Sequence, residues 1–159
     1  MDFGLAGKTA IIGGGSRGIG KAIAIGLARE GVDMVITSRN LEALSETAAE
    51  IAADTGRNII PMACDVTDRT AVEAMVEDAV AALGGLSILV NSASLPGGSP
   101  GAIGSIDSII DEEFLNDFDT KYLGALRCAR AAIPHMQKAG WGRIINISST
   151  NDRTPGNLS

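Results

Sequence analysis

Aromatic residues make up only 3% of the 159 positions, and the chain holds one histidine, two cysteines and fewer basic than acidic groups. Each shortage excludes something. With 13 Lys and Arg against 19 Asp and Glu, the net charge of -6 argues against a nucleic-acid or anionic-membrane surface, which would need a basic patch. Cys64 and Cys128 lack metal-ligand spacing and read as reduced core thiols. His135 follows Pro134 and has no metal partner nearby in sequence, so it reads as a surface or packing side chain. No apolar run approaches the roughly 18 residues of a spanning helix. Met1-Asp2-Phe3 does not begin a secretory signal, and the expected location is the cytoplasm. The one tyrosine, Tyr122, sits inside a helical pattern. No internal repeat or disordered linker divides the chain, and 45% hydrophobic content suits a single globular domain.

What the chain has in quantity is glycine. Gly13-Gly14-Gly15-Ser16-Arg17-Gly18-Ile19-Gly20 joins the apolar run Thr9 to Ile12 to a helical pattern. Glycines permit positive φ and close backbone approach to a ligand, and the free N–H groups of a helix start attract phosphate oxygens. Gly13, Gly15 and Gly18 satisfy G-x-G-x-x-G, while the register Gly14-x-x-x-Gly18-x-Gly20 fits better with the helical pattern after it. A plain glycine loop is the competing reading. The strand before and helix after favour a dinucleotide pyrophosphate cradle. Ile19, Ala22, Ile23, Gly26, Leu27 and Glu30 recur at helical spacing and describe an amphipathic helix ending near Gly31.

Further along, apolar runs alternate with helical patterns, as in parallel strands joined by crossover helices. Strands are expected at Thr9 to Ile12, Met34 to Thr37, Ile59 to Ala63, Ile88 to Val90 and Arg143 to Ile147. Helices are expected near Gly18 to Glu30, Leu41 to Thr55, Arg69 to Leu83 and Asp111 to Lys138. The third carries the cleanest stripe, Val72, Met75, Val76, Ala79, Val80 and Leu83. Right-handed crossovers then give an α/β fold, a Rossmann-type doubly wound parallel sheet with strand order 3-2-1-4-5 for the part present. Residues 1–159 are read as one NADP-binding domain.

The end of the second strand discriminates between cofactors. An acidic residue about 20 positions past the glycines binds the adenosine ribose of NAD. Here the strand ends Ser38-Arg39, and Asp33 stands at its wrong end. A small hydroxyl beside a guanidinium suits a 2′-phosphate, with Arg17 flanking the same group, so NADP(H) is favoured over NAD(H). A solvated loop arginine is the alternative for Arg39. An S-adenosylmethionine methyltransferase shares the strand-turn-helix logic, but would want an acidic residue in place of Ser38-Arg39.

Gly14-x-x-x-Gly18-Ile19-Gly20, Cys64-Asp65-Val66, Asn91-Ser92-Ala93 and Gly142-Arg143-Ile144-Ile145-Asn146-Ile147-Ser148-Ser149 occur in one order and spacing. In this the chain resembles the short-chain dehydrogenase/reductase family over nearly its whole length. The resemblance implies that Gly14, Ser16, Arg17, Gly18, Ile19 and Gly20 hold the pyrophosphate and that Asp65 and Val66 border the adenine. It places Asn91, Ser92 and Ala93 beside the adenosine ribose, with Ser149 as the serine that hydrogen-bonds a substrate carbonyl. A capping aspartate, a strand-end asparagine and a loop serine are the plainer readings of Asp65, Asn91 and Ser149. The implied chemistry is hydride transfer between a nicotinamide and a carbonyl or alcohol, with proton delivery from a tyrosine assisted by a lysine.

In that family the Tyr-x-x-x-Lys pair would begin just past Ser159, with roughly a hundred further residues completing the domain. The chain is therefore expected to be the N-terminal portion of a longer enzyme, its fifth strand an edge with apolar side chains suited to burial. Two positions depart from the pattern. Ser94 replaces the glycine of Asn-x-Ala-Gly, and Lys121 stands where many members have a relay asparagine. An ammonium pointing into the site would anchor water or lower a phenol pKa, which makes Lys121 a second catalytic candidate; a solvated helix lysine is the alternative. The departure also admits an atypical, enoyl-reducing member. A catalytically incomplete nucleotide-binding or oligomerisation module is the reading from a different class. The implied partners are a small-molecule substrate and a second copy, as dimer or tetramer, since Leu115, Phe118, Tyr122, Leu126, Ala129 and Ile133 form a stripe on the long helix. That stripe suits either a partner helix or the chain's own sheet. Pro96-Gly97-Gly98-Ser99-Pro100-Gly101 is expected as a loop at the cofactor edge.

Overall fold

Short aliphatic, β-branched runs bounded by turn residues become buried parallel strands, because such runs can be covered on both faces. The computed structural model describes residues 3–94, 99–102 and 104–148. Its strands are β1 (Thr9–Gly13), β2 (Asp33–Ser38), β3 (Ile59–Ala63), β4 (Ile88–Asn91) and β5 (Arg143–Asn146). They form one parallel sheet in the order β3-β2-β1-β4-β5. This is the expected order of a Rossmann-type fold. Ile11 pairs in register with Val35 on one side and Leu89 on the other, and all three are fully buried.

Alternating side chains feed two cores. Ile12, Ile36 and Val90 pack with Ala24, Ala28, Leu44 and Ile51 from α1 (Gly18–Arg29) and α2 (Leu41–Thr55). Ile11, Val35 and Leu89 pack with Val72, Val76 and Ala79 of α3 (Arg69–Leu83) and with Cys128 and Ala132 further along. Each buried Val, Leu or Ile among them contributes about 1.5–3 kcal/mol. Asn40 and Asp68 fix the starts of α2 and α3: the Asn40 side-chain oxygen accepts from the Ala43 N–H, and the Asp68 carboxylate accepts from the Thr70 and Ala71 N–H groups.

One expectation needs correction. The α1 stripe read through Ile19, Ala22 and Gly26 lies outward. The buried face is Gly20, Ala24 and Ala28, flanked by the partly buried Ile23 and Leu27. Small residues face the sheet because the glycine turn brings the helix start close to it. The long helix is helical throughout, as expected, but not uniform: α4 (Asp111–Phe118) passes into a π turn (Asp119–Leu123) and then α5 (Gly124–Ala139). Its buried face is Gly124, Cys128, Ala132 and Met136, and of the Leu115 to Ile133 stripe only Ala129 packs on the chain's own core while the other members are exposed. At the opposite end of the sheet from the glycine turn, Trp141 packs on the core with Lys8 Nζ and Arg143 Cζ over its ring at 4.6 and 4.7 Å.

Candidate functional site

The carboxyl ends of the strands bring the glycine turn, Ser38-Arg39, Asp65-Val66 and Asn91 to Ala93 to one edge of the sheet. β1 ends at Gly13, opposite Thr37 of β2, and Ser38 stands opposite Ala63 at the end of β3. The Thr37 carbonyl accepts the N–H groups of Gly14 at 2.8 Å and Gly15 at 3.2 Å, which bends the chain across the sheet edge. Gly14 has φ 72, and a Cβ there would stand 2.6 Å from the Ser92 carbonyl oxygen. At Gly20 a Cβ would overlap the Gly14 carbonyl. The turn therefore closes only without side chains at these two positions. Thr47, buried on α2, donates its hydroxyl to the Ser16 carbonyl at 3.1 Å and pins the turn from below, a contact that the sequence did not suggest.

The turn delivers α1 with its first N–H groups open. Arg17 occupies the N-cap in extended conformation and makes no side-chain cap. The first intrahelical bond is from the Lys21 N–H to the Arg17 carbonyl, so Gly18, Ile19 and Gly20 present donors with no helical partner. Exposed Ile19 and Arg17 border this point. Open donors, a positive helix end and Gly18, whose Cβ position is open space, fit a dinucleotide pyrophosphate.

At the end of β2, the Ser38 hydroxyl is engaged with the Asn40 backbone, accepting its N–H at 3.3 Å. Arg39 is exposed and, among the described residues, holds no carboxylate. Asp33 is instead used at the start of the strand, where it accepts the Asn58 N–H and faces Arg57 at 3.9 Å. Two residues past β3, Asp65 Oδ1 accepts both the N–H and the hydroxyl of Thr67, at 2.9 and 2.8 Å. The Thr67 N–H foremost holds the Asp65 carboxyl below the usual range, with the Thr67 hydroxyl, Arg39 and Arg127 adding to it against partial burial. Arg39 and Asp65 therefore share one corner. Val66 beside them is buried.

Asn91 ends β4 and ties three elements: its amide donates to Asn146 of β5 at 2.8 Å and to the Ala125 carbonyl of α5 at 3.4 Å, while its own carbonyl accepts the Ile147 N–H. Ser92 and Ala93, half-buried, run beneath the glycine turn. Lys121 lies in the π turn and pairs with Asp117 at 2.7 Å, with its side chain about one third exposed. Tyr122 is 65% exposed and stacks on Phe118 at 4.9 Å, on the outward face rather than at the cofactor edge. Ser149 lies outside the described residues, as do residues 96–98 of the loop after β4. The described part of that loop packs on α4, where the Gly101 N–H donates to Glu113 Oε2 at 2.6 Å.

Outside this edge, His135 contacts Glu77 at 2.9 Å, and no cluster of metal-ligating side chains occurs among the described residues. Nor is any described helix long and apolar enough to cross a membrane. Cys64 and Cys128 are buried, free thiols.

Comparison with known proteins places relatives beside this geometry. A family model described as short chain dehydrogenase matches residues 8–158. The 2-dehydro-3-deoxy-L-rhamnonate dehydrogenase (NAD(+)) of Sphingomonas sp. (strain SKA58) is 36% identical over 144 residues, 91% of this chain and 54% of that protein. The structure of L-sorbose reductase from Gluconobacter frateurii, complexed with NADPH and L-sorbose, matches with a TM-score of 0.90 and 34% identity, covering 100% of this chain and 59% of that one. NAD+-bound xylitol dehydrogenase matches with a TM-score of 0.87 and 27% identity, covering 97% and 58%. The chain spans about half the length of the curated relatives it matches.

Proposed function

The chain belongs to the short-chain dehydrogenase family, and on that premise we propose that it forms the cofactor-holding part of an oxidoreductase that uses NADP(H) and acts on a carbonyl or alcohol of a small molecule. The observation that carries the cofactor preference is the corner at the end of β2. Ser38 and the unpaired Arg39 replace an acidic ribose ligand there, with Arg17 exposed on the facing turn. A guanidinium held in no ion pair is a ready donor to a 2′-phosphate, whereas a carboxylate in place of Ser38 or Arg39 would repel one; Asp65, in the same corner, is engaged by Thr67. Bound nicotinamide supplies or accepts the hydride.

This chain's residues divide the remaining work. Gly18, Ile19 and Gly20 would meet the pyrophosphate through their N–H groups, and Asp65 and Val66 would border the adenine. Asn91, Ser92 and Ala93 would line the ribose side, with Asn91 also holding β5 against β4. Ser149 would hydrogen-bond the substrate carbonyl, and Lys121 would place a positive charge near the reacting groups. The one phenol of the sequence, Tyr122, is stacked on the outward face, so the 159 residues offer no phenolic proton donor at the cofactor edge. Binding without turnover is the expected behaviour of these residues by themselves. The outward stripe on α4 and α5 supports a second copy as partner.

Calorimetric titration with NADPH and NADH is the deciding experiment. NADPH should bind at least about tenfold more tightly than NADH, the difference that charge-assisted contacts to one phosphate bring. Equal affinities, or a preference for NADH, would overturn the assignment at Arg39.

A further inference from the structure

A guanidinium that is only about one fifth exposed stays in place when its donors are matched. Arg127, in the first turn of α5, is matched by two acceptors that belong to distant parts of the chain. Nη1 donates to the Val66 carbonyl at 3.1 Å, and Nη2 donates to Asp119 Oδ1 at 2.7 Å. Val66 lies in the turn between β3 and α3, and Asp119 opens the π turn. One turn before Arg127, Gly124 meets Val66 so closely that a Cβ would stand 2.7 Å from Val66 Cγ2. The neighbouring Ala125 carbonyl accepts from Asn91. The first turn of α5 is thus fastened to both segments, Asp65-Val66 and Asn91 to Ala93, that border the cofactor corner.

We propose that Arg127 is a positioning residue for the adenosine end of the cofactor: it holds the Asp65-Val66 turn through the Val66 carbonyl and locks that turn to the π turn through Asp119. The inference rests on the proposed cofactor site. Division of labour comes from the hydrogen bonds. The Thr67 contacts set the shape of the Asp65 turn internally, whereas Arg127 sets where the turn sits relative to β4 and α5. A planar fork can serve two acceptors in fixed directions, which a lysine ammonium on a flexible stem does less well. With both described bonds spent on protein acceptors, Arg127 acts through Val66 and, by its charge, on Asp65, so its main effect is shared by ligands with and without the 2′ substituent that Arg39 reads.

The test is calorimetric titration of the chain with NADPH, NADH and 2′,5′-ADP, at a temperature where circular dichroism shows each variant folded. Arg127→Met should raise all three dissociation constants about five- to tenfold, the effect of losing a charge-assisted hydrogen bond, and leave the NADPH-to-NADH ratio unchanged. Arg127→Lys should recover part of the affinity. Arg39→Ala, in contrast, should change the ratio. Unchanged binding by folded Arg127→Met overturns the proposal, as does a loss confined to NADPH and 2′,5′-ADP, the two probes with a 2′-phosphate, which would mean direct contact with that phosphate. Asp119→Asn supplies a second variant should Arg127→Met not fold. It should raise all three constants by a smaller, shared factor, and no change there also overturns the proposal. A native chain that binds none of the three probes removes the cofactor reading itself, an outcome distinct from failure at Arg127.

Discussion

Arg39 and Arg127 show how the surroundings of one residue type set its work. Arg29, Arg57, Arg69 and Arg127 each face a carboxylate within the chain, whereas Arg17 and Arg39 form no ion pair among the described residues, Arg39 acting on Asp65 only by its charge. Arg39→Ala should raise the NADPH dissociation constant about tenfold or more while moving NADH by less than about twofold, measured by calorimetry. Gly20 tests the turn itself. A Cβ at that position meets the Gly14 carbonyl, a backbone atom that cannot rotate away, so Gly20→Val should cost about 1–3 kcal/mol in urea denaturation and abolish nucleotide binding. Burial pushes the Cys64 thiol up to about 11 and the Cys128 thiol up to about 12. Both should therefore resist a thiol reagent at pH 8 in the native protein and react together in urea. The glycines and Arg39 were legible in the sequence because their meaning lies in type and spacing. Arg127 was not, because its acceptor Val66 is 61 positions away.

Among the elements, α2 and α3 begin and end where the sequence predicts, since their N-caps and apolar stripes are local features. Asp68→Ala removes an acceptor for two N–H groups and should destabilise the protein by about 1 kcal/mol, read from a urea transition with unchanged slope. The π turn was invisible by the same logic. One extra residue per turn leaves each side chain helix-compatible, and no proline falls within Asp119–Leu123 to announce a break. What accompanies it is tertiary: Gly124 against Val66, and Asp119 against Arg127. Lys121 rides on this turn with Asp117 as its ionic partner. In the complete enzyme, Lys121→Met should lower kcat more than it weakens NADPH binding. Unchanged turnover would reduce Lys121 to a structural pair with Asp117.

For the whole molecule, the distribution of apolar surface matters most. Leu115, Phe118, Tyr122, Leu126 and Ile133 lie outward on α4, the π turn and α5, and Ile144, Ile145 and Ile147 are also exposed along the β5 edge. Contiguous apolar surface of this kind favours association. Sedimentation should show a dimer or larger species, and replacing both Leu115 and Leu126 with Glu should shift it toward monomer without loss of helix signal. Stability should also fall in alkali. Both thiols have raised values, so above about pH 9 the unfolded chain releases protons that the native state retains, and folding free energy declines as pH rises toward 11 to 12. A Cys64→Ala, Cys128→Ala variant should flatten that decline in a pH series of urea transitions.

The sequence by itself determined the strand-turn-helix opening, the alternation of strands and helices, and hence the 3-2-1-4-5 sheet. Each of these comes from local periodicity, turn chemistry and the handedness of crossovers. It also carried the motifs that place this chain in its family. Tertiary structure alone decided that α1 turns its small residues inward, that the long helix opens into a π turn, and that the apolar stripe of that helix faces out. It alone brought Thr47 to Ser16, Asn91 to Asn146 and Arg127 to Val66. The physical reason is range. Periodicity and capping act within about a turn of helix, whereas a buried carbonyl takes its donor from whichever element the packed sheet and helices bring beside it.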